Sequence, residues 1–124
     1  MQSTNNQIKY DSTFNKTSLG AFTKNELNVL MIILSLITKE NMNKHCYKIE
    51  ISFSEIRKML DSPNLHTSRI IKIYDSLSNI KCDFYNEDGA VTKDTLFSEY
   101  KLSSNKKIVT ITLSKSLSDK LIVM

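Results

Sequence analysis

Residues 52–80 read SFSEIRKMLDSPNLHTSRIIKIYDSLSNI, and the reading of this stretch decides the fold. It divides into two amphipathic segments around Pro63, the single proline of the chain. Ser52 and Glu55 are spaced as a capping box, with Ile51 and Ile56 flanking them as a hydrophobic staple, so a short helix is expected to run to about Leu60. Asp61 and Ser62 are favourable N-cap residues, and proline suits a first helical position, where its missing N–H costs nothing. The next helix is therefore expected to start at Pro63. Along it Ile70, Ile73, Tyr74 and Leu77 recur at helical spacing and face a core. His66, Thr67, Ser68, Arg69, Lys72 and Ser76 are left on the polar side.

Upstream, FTKNEL (22–27) carries a second capping box, Thr23 with Glu26, and a staple of Phe22 with Leu27. The spacing predicts a helix from Lys24 to about Glu40. Its middle, VLMIILSLI (29–37), is apolar on nearly every side and must be covered by more than one element. YKIEIS (47–52) then alternates with period two, the pattern of a half-buried strand. Downstream, NIKCDFYNEDGAV (79–91) reads as a hairpin around Asp88-Gly89. An extended stretch follows through Leu96, Phe97, Tyr100 and Leu102. The turn SSNK (103–106) leads into KIVTITL (107–113), which alternates again. Together these predict a three-stranded meander. SKSLSDKLIVM (114–124) is expected to begin a last helix. Its four terminal apolar residues predict a chain that continues or packs on a partner.

One domain is expected over 14–124, preceded by a flexible arm over 1–13 and pinned by Phe14, Leu19 and Phe22. The order helix, strand, helix, turn, helix, antiparallel hairpin is α+β, and specifically the winged-helix arrangement. In that arrangement the polar face of the third helix can enter a major groove. Arg69 would read guanine edges and Lys72, one turn later, would reach a phosphate. The Asp88-Gly89 tip, ringed by Asp83, Glu87, Asp88 and Asp94, would repel phosphates. The second turn, with Lys106 and Lys107, is the better phosphate contact. For each of these residues the competing reading is a solvated surface.

The 124 residues carry a net charge of +4 and a pI near 9.0, compatible with nucleic-acid binding without demanding it; Arg57 and Arg69 are the only arginines. Catalysis finds little support. His45 and His66 have no nucleophile partner, and two glycines in all leave no loop to cradle a phosphate. Cys46 and Cys82 lack metal-site spacing and read as reduced thiols, so no metal and no cofactor are expected. MQSTNNQIKY (1–10) has no signal-peptide core, and the longest apolar run is about half a membrane span. A cytoplasmic protein with no membrane partner is expected.

Three segments carry a family resemblance: FNKTSLGAFTKNELNVLMIILSLITKEN (14–41), KIEISFSEIRKML (48–60), and a helix ending in LSNI (77–80) before a hairpin. Over roughly residues 14–118 the chain resembles the N-terminal winged-helix domain of plasmid replication initiators, the Rep proteins of iteron-type plasmids. Phe22, Thr23, Glu26 and Leu30 match the opening of the first helix, and Ile49, Ile51, Glu55 and Ile56 match the strand and second helix. The resemblance implies a non-enzymatic protein that binds double-stranded DNA, at origin repeats or its own promoter, and recruits host replication proteins. It also implies a homodimerising domain: dimers repress the initiator's own gene and monomers start replication. The family pattern has a second winged-helix domain that these residues do not contain, so the chain is read as the N-terminal domain of a longer initiator. Two other readings stay open. One is a winged-helix transcriptional repressor, and the other is a winged-helix module that binds protein and not DNA.

Overall fold

The computed structural model of the chain describes residues 8–10 and 22–123. Helix α1 spans Lys24–Ser35 and opens with the expected capping box. Glu26 N–H donates to Thr23 Oγ1 at 3.2 Å, and Thr23 N–H donates to Glu26 Oε1 at 2.8 Å. The helix stops well before Glu40. Leu36 caps it through a bond to the Ile33 carbonyl. The chain then tightens into a 3₁₀ turn over Lys39–Asn41, in which Asn41 Oδ1 accepts from Thr38 N–H at 2.6 Å. Val29, Leu30, Ile33 and Leu34 are buried, but Met31 remains 41% exposed, so α1 is covered on most of its surface and not all round.

Strand β2 (Met42–Asn43) turns back into β3 (Cys46–Ser52), whose Tyr47, Ile49 and Ile51 are buried in alternation. Helix α2 (Phe53–Met59) follows at once, with Ser52 accepting from Glu55 N–H at 3.0 Å. Its end corrects the expected start of the next helix. Asp61 takes a left-handed φ of +54°, and Asp61 and Ser62 donate back to the Lys58 and Arg57 carbonyls at 3.1 and 2.9 Å. These are the two bonds of a Schellman motif, so Asp61 closes α2 and does not cap its successor. Pro63 lies in the connecting turn. Helix α3 begins only at Thr67, runs to Asn79, and has His66 at the N-cap without a capping side-chain bond. Glycine carries no penalty at a left-handed C′ position. Asp61→Gly is therefore expected to stabilise the fold by roughly 0.5–1 kcal/mol, read as a raised urea midpoint.

The second correction concerns the strands. β4 (Lys81–Tyr85) and β5 (Val91–Thr95) form their own two-stranded ribbon. At Leu96, fully buried, the chain bends away, and β6 (Phe97–Leu102) pairs with β7 (Ile108–Leu113). The corner is held by Thr95 Oγ1 donating to the Phe97 carbonyl at 2.9 Å and by Ser114 N–H donating to the Leu96 carbonyl at 2.8 Å. β7 also pairs with β3, giving the sheet order β2-β3-β7-β6. The three-stranded meander is therefore replaced by two separate hairpins. The one continuous with the main sheet is β6–β7, and this is the wing of a winged helix. Its tip is the turn at 103–107 and not Asp88-Gly89.

The last third correction lies at the C-terminal side. Helix α4 is short, Lys115–Asp119, capped by Ser114. The apolar residues after it return to strand β8 (Leu121–Val123), antiparallel to β1 (Ile8–Tyr10). Thus part of the segment read as an arm is a strand, while Phe14 and Leu19 fall outside the described residues. Phe22 does join the core. That core gathers α1, α2, α3 and the inner face of the sheet, including Tyr74, whose ring stacks on Tyr100 with centroids 5.8 Å apart. Among the described residues no helix is long and apolar enough to cross a membrane.

Candidate nucleic-acid interface

The periodicity of α3 produces one buried and one open side. Ile70, Ile73, Tyr74 and Leu77 are buried, whereas Ser68, Arg69, Lys72, Asp75, Ser76 and Asn79 are exposed. Arg69 and Lys72 are three residues apart and so lie on neighbouring turns of one face. Neither forms an ion pair: the salt bridges among the described residues are Lys93–Asp83 and Lys115–Asp119. Both cationic heads therefore stand in water, where holding them costs the fold nothing and a phosphate or base edge could take them.

The other predicted residues of α3 differ in what they have left to offer. His66 and Ser68 are exposed at the helix start. Thr67 is half-buried, and its hydroxyl accepts from Arg57 Nη2 at 2.7 Å. Arg57 also donates from Nε to the Leu65 carbonyl at 2.6 Å. One guanidinium on α2 thus grips both the turn before α3 and its first residue, supplying the tether that His66 does not. Sequence reading passed over Arg57 because its partners lie eight and ten residues downstream, across a turn.

Ser76 is also engaged, its hydroxyl donating to Glu26 Oε2. Glu26 is only 7% exposed, yet it is satisfied on both oxygens, by Thr23 N–H and by Ser76. The capping box of α1 is therefore also the bolt that joins α1 to α3. The Ser76 bond, with the Thr23 backbone bond behind it, holds the Glu26 carboxyl below its ordinary 4.5, against the opposing pull of burial. A depressed carboxyl stabilises the fold fully above its unfolded value and loses that contribution as pH falls through the folded one. Acid unfolding below about pH 4.5 is expected to be shallower in Glu26→Gln than in wild type, as followed by circular dichroism; equal pH profiles would contradict the coupling.

The wing tip is stiff for its size. Ser103 N–H donates to the Ile108 carbonyl at 2.9 Å and Lys106 N–H to the Ser103 carbonyl at 2.8 Å, with Lys106 at φ +56°. Ser103 Oγ accepts from Lys107 and Ile108 N–H, and Asn105 Oδ1 also accepts from Lys107 N–H. Lys106 and Lys107 stand exposed on this frame. The Lys107 carbonyl accepts from Phe53 N–H at 2.9 Å, tying the tip to the start of α2. α2 is accordingly bonded to the wing at one end and to the start of α3 through Arg57. Beside it Ser54, Arg57, Lys58, Asp61 and Pro63 line an open basin of about 480 Å³.

The acidic ribbon β4–β5 is partly neutralised from within. Asp83 pairs with Lys93 at 2.7 Å, Asp94 accepts from Ser116 at 2.9 Å, and Asp88 accepts from Ala90 N–H at 2.9 Å. Cys46 and Cys82 are free thiols. Burial, aided by Asp83 and Asp94, pushes the Cys82 thiol up to about 11, which keeps it protonated and unreactive. No group of three or more metal-ligating side chains occurs among the described residues.

A family model described as Initiator Replication protein, WH1, matches residues 7–124. No curated protein and no solved structure matches the chain.

Proposed function

The chain belongs to the initiator replication protein family as a WH1 domain of plasmid replication initiators, and from that premise we propose that it binds double-stranded DNA without catalysis and pairs with itself. The DNA would be the origin repeats or the initiator's own promoter, and host replication proteins would be recruited there. Arg69 and Lys72 would reach base edges and phosphates from α3, with His66 and Ser68 at the entering end. Lys106 and Lys107 would hold the backbone beside it. Thr67 and Ser76, proposed as contacts from their position, would serve first as anchors through Arg57 and Glu26.

The observation that carries this reading is the pair of unpaired cations on α3, set one turn apart on a helix that Arg57 holds at its start. The acidic ribbon favours a second reading, a module whose β4–β5 edge meets protein. A free-standing repressor is distinguished by tight binding to one symmetric site.

The test is fluorescence anisotropy of the chain with DNA flanking its own reading frame, against scrambled DNA, over a salt series. Each phosphate neutralised adds about 0.9 to the log–log salt slope. The DNA reading predicts measurable, salt-sensitive binding with a slope near 2–4, from the few exposed cations. Absence of binding at low salt would leave the protein-binding module.

A further inference from the structure

The ribbon β4–β5 leaves one strand edge open. Asn86 N–H donates to the Ala90 carbonyl at 2.8 Å, which fixes the alternation of the antiparallel ladder beyond it. Phe84 with Thr92, and Cys82 with Asp94, turn their backbone groups toward each other; Tyr85 with Val91, and Asp83 with Lys93, turn theirs outward. The Tyr85 carbonyl fits this parity, since it accepts from Lys120 Nζ at 2.6 Å on the outer side of β4. On the outer side of β5 the Thr95 N–H is taken by Asp94 Oδ1 at 2.7 Å. Val91 and Lys93 have no such partner among the described residues. Their N–H and C=O groups therefore line an unpaired edge, the two residues about 7 Å apart.

Strand edges are normally blunted by a proline, a bulge or a lysine standing over them. β5 contains neither proline nor glycine, and its register against β4 runs without a bulge. Its one lysine, Lys93, is drawn across the ribbon onto Asp83 at 2.7 Å, away from the open side. Cys82 and Phe84 are buried on one face of the ribbon, whereas Val91, opposite Tyr85 on the other face, is 43% exposed. Residues 81–95 hold two lysines and four acids, a net charge of −2 in a chain of +4. Open backbone groups, an uncovered apolar side chain and negative charge thus coincide on one edge.

We propose that the β5 edge is a docking site for an extended, basic segment of another protein, which joins the ribbon as a third strand. Main-chain bonds to Val91 and Lys93 hold the segment, and an apolar side chain of it covers Val91. Its lysines or arginines answer the acids of the ribbon, with Glu87 and Asp88 exposed at the tip. The charge sets DNA aside at this edge, and it disfavours a second copy, whose own ribbon carries the same −2. A two-stranded ribbon is marginal by itself, so the third strand also stiffens it. The inference deepens the protein-binding reading of the ribbon and is independent of what α3 meets.

Amide NMR spectra of the 124-residue chain, titrated with a blocked hexapeptide alternating valine and lysine, test this. Saturable shifts are expected at Val91 and Lys93, with hydrogen exchange of those two amides slowed at least about fivefold at saturation. Thr92 and Asp94, already bonded to β4, should change little in exchange. A matched valine–glutamate peptide should not bind. Val91→Pro removes an outward N–H without touching the ladder, and should abolish the response while Thr92 and Asp94 stay protected. Glu87→Lys, at the exposed tip, leaves every ladder bond in place and should weaken the valine–lysine peptide severalfold. No saturable shift at β5, equal binding of the two peptides, or a Glu87→Lys chain that binds like wild type would overturn the inference. So would Val91 and Lys93 amides already protected in the free chain at high concentration, which would mean that a second copy fills the edge. The DNA reading is decided separately by the anisotropy titration, and neither result depends on the other.

Discussion

Arg57→Ala is expected to cost the fold about 2–3 kcal/mol and to weaken DNA association more than any single change on the exposed face of α3. Two charge-assisted hydrogen bonds leave together, to the Leu65 carbonyl and the Thr67 hydroxyl, and such bonds are worth about 1.5–3 kcal/mol each before exposed partners regain water. The loss falls at a helix start that has no side-chain cap, since His66 makes none. With its start released, α3 no longer presents Arg69 and Lys72 at a fixed angle, and part of the binding free energy goes to ordering it again. Arg57→Lys should behave much like the alanine variant, since an ammonium retains the charge but cannot fork between two acceptors. Urea unfolding gives the stability change and anisotropy gives the affinity. A variant with the wild-type urea midpoint would show that the α2–α3 turn is held elsewhere.

Arg69→Ala carries the second large expectation, of a different kind. Its side chain is exposed and makes no ion pair among the described residues, so the unfolding free energy in urea should stay within about 0.5 kcal/mol of wild type. DNA affinity should fall by about 1–3 kcal/mol if it reads a base edge, with discrimination between native and scrambled DNA falling too. If Arg69 meets only a phosphate, affinity should drop equally for both DNAs and the salt slope should fall by about 0.9. The contrast with Arg57 is the useful part: in the proposed reading one arginine acts through the fold and the other through DNA.

Much of this architecture is legible in local sequence. The Thr23–Glu26 capping box and the Ser52 cap on Glu55 N–H each span four residues, so both helix starts could be read without knowing the fold, although at Ser52 only half of the expected box forms among the described residues. The alternations of β3 and β7 and the buried stripe Ile70, Ile73, Tyr74, Leu77 are equally local. What escaped sequence reading depends on distant or conformational partners. Asp61 looks like an N-cap until its left-handed backbone shows it ending α2, which moves the start of α3 from Pro63 to Thr67. The exchange of partners at Leu96 is a tertiary choice: β6 pairs with β7, whose Val109, Ile111 and Leu113 are fully buried, and no residue near Leu96 announces it. This exchange matters for the site. It transfers the role of wing from the acidic ribbon to the turn bearing Lys106 and Lys107.

The candidate site follows the same division. The exposed cations of α3 are legible from helical period alone. The links that hold them are not, because Ser76 and Glu26 are fifty residues apart and Arg57 reaches across a turn. Ser76 shows the consequence: its position suggests a DNA contact, while its hydroxyl is already committed to the α1 cap.

The measurement that tests the central claim most directly is a salt-series anisotropy titration of wild type and the Arg69→Ala/Lys72→Ala double variant against the same origin-flanking DNA. The account predicts that the double variant keeps the wild-type fold by circular dichroism, loses at least about tenfold in affinity, and has a salt slope shallower by about one to two. Identical affinity and slope in the two proteins would contradict it, and would mean that α3 is not the element that meets DNA.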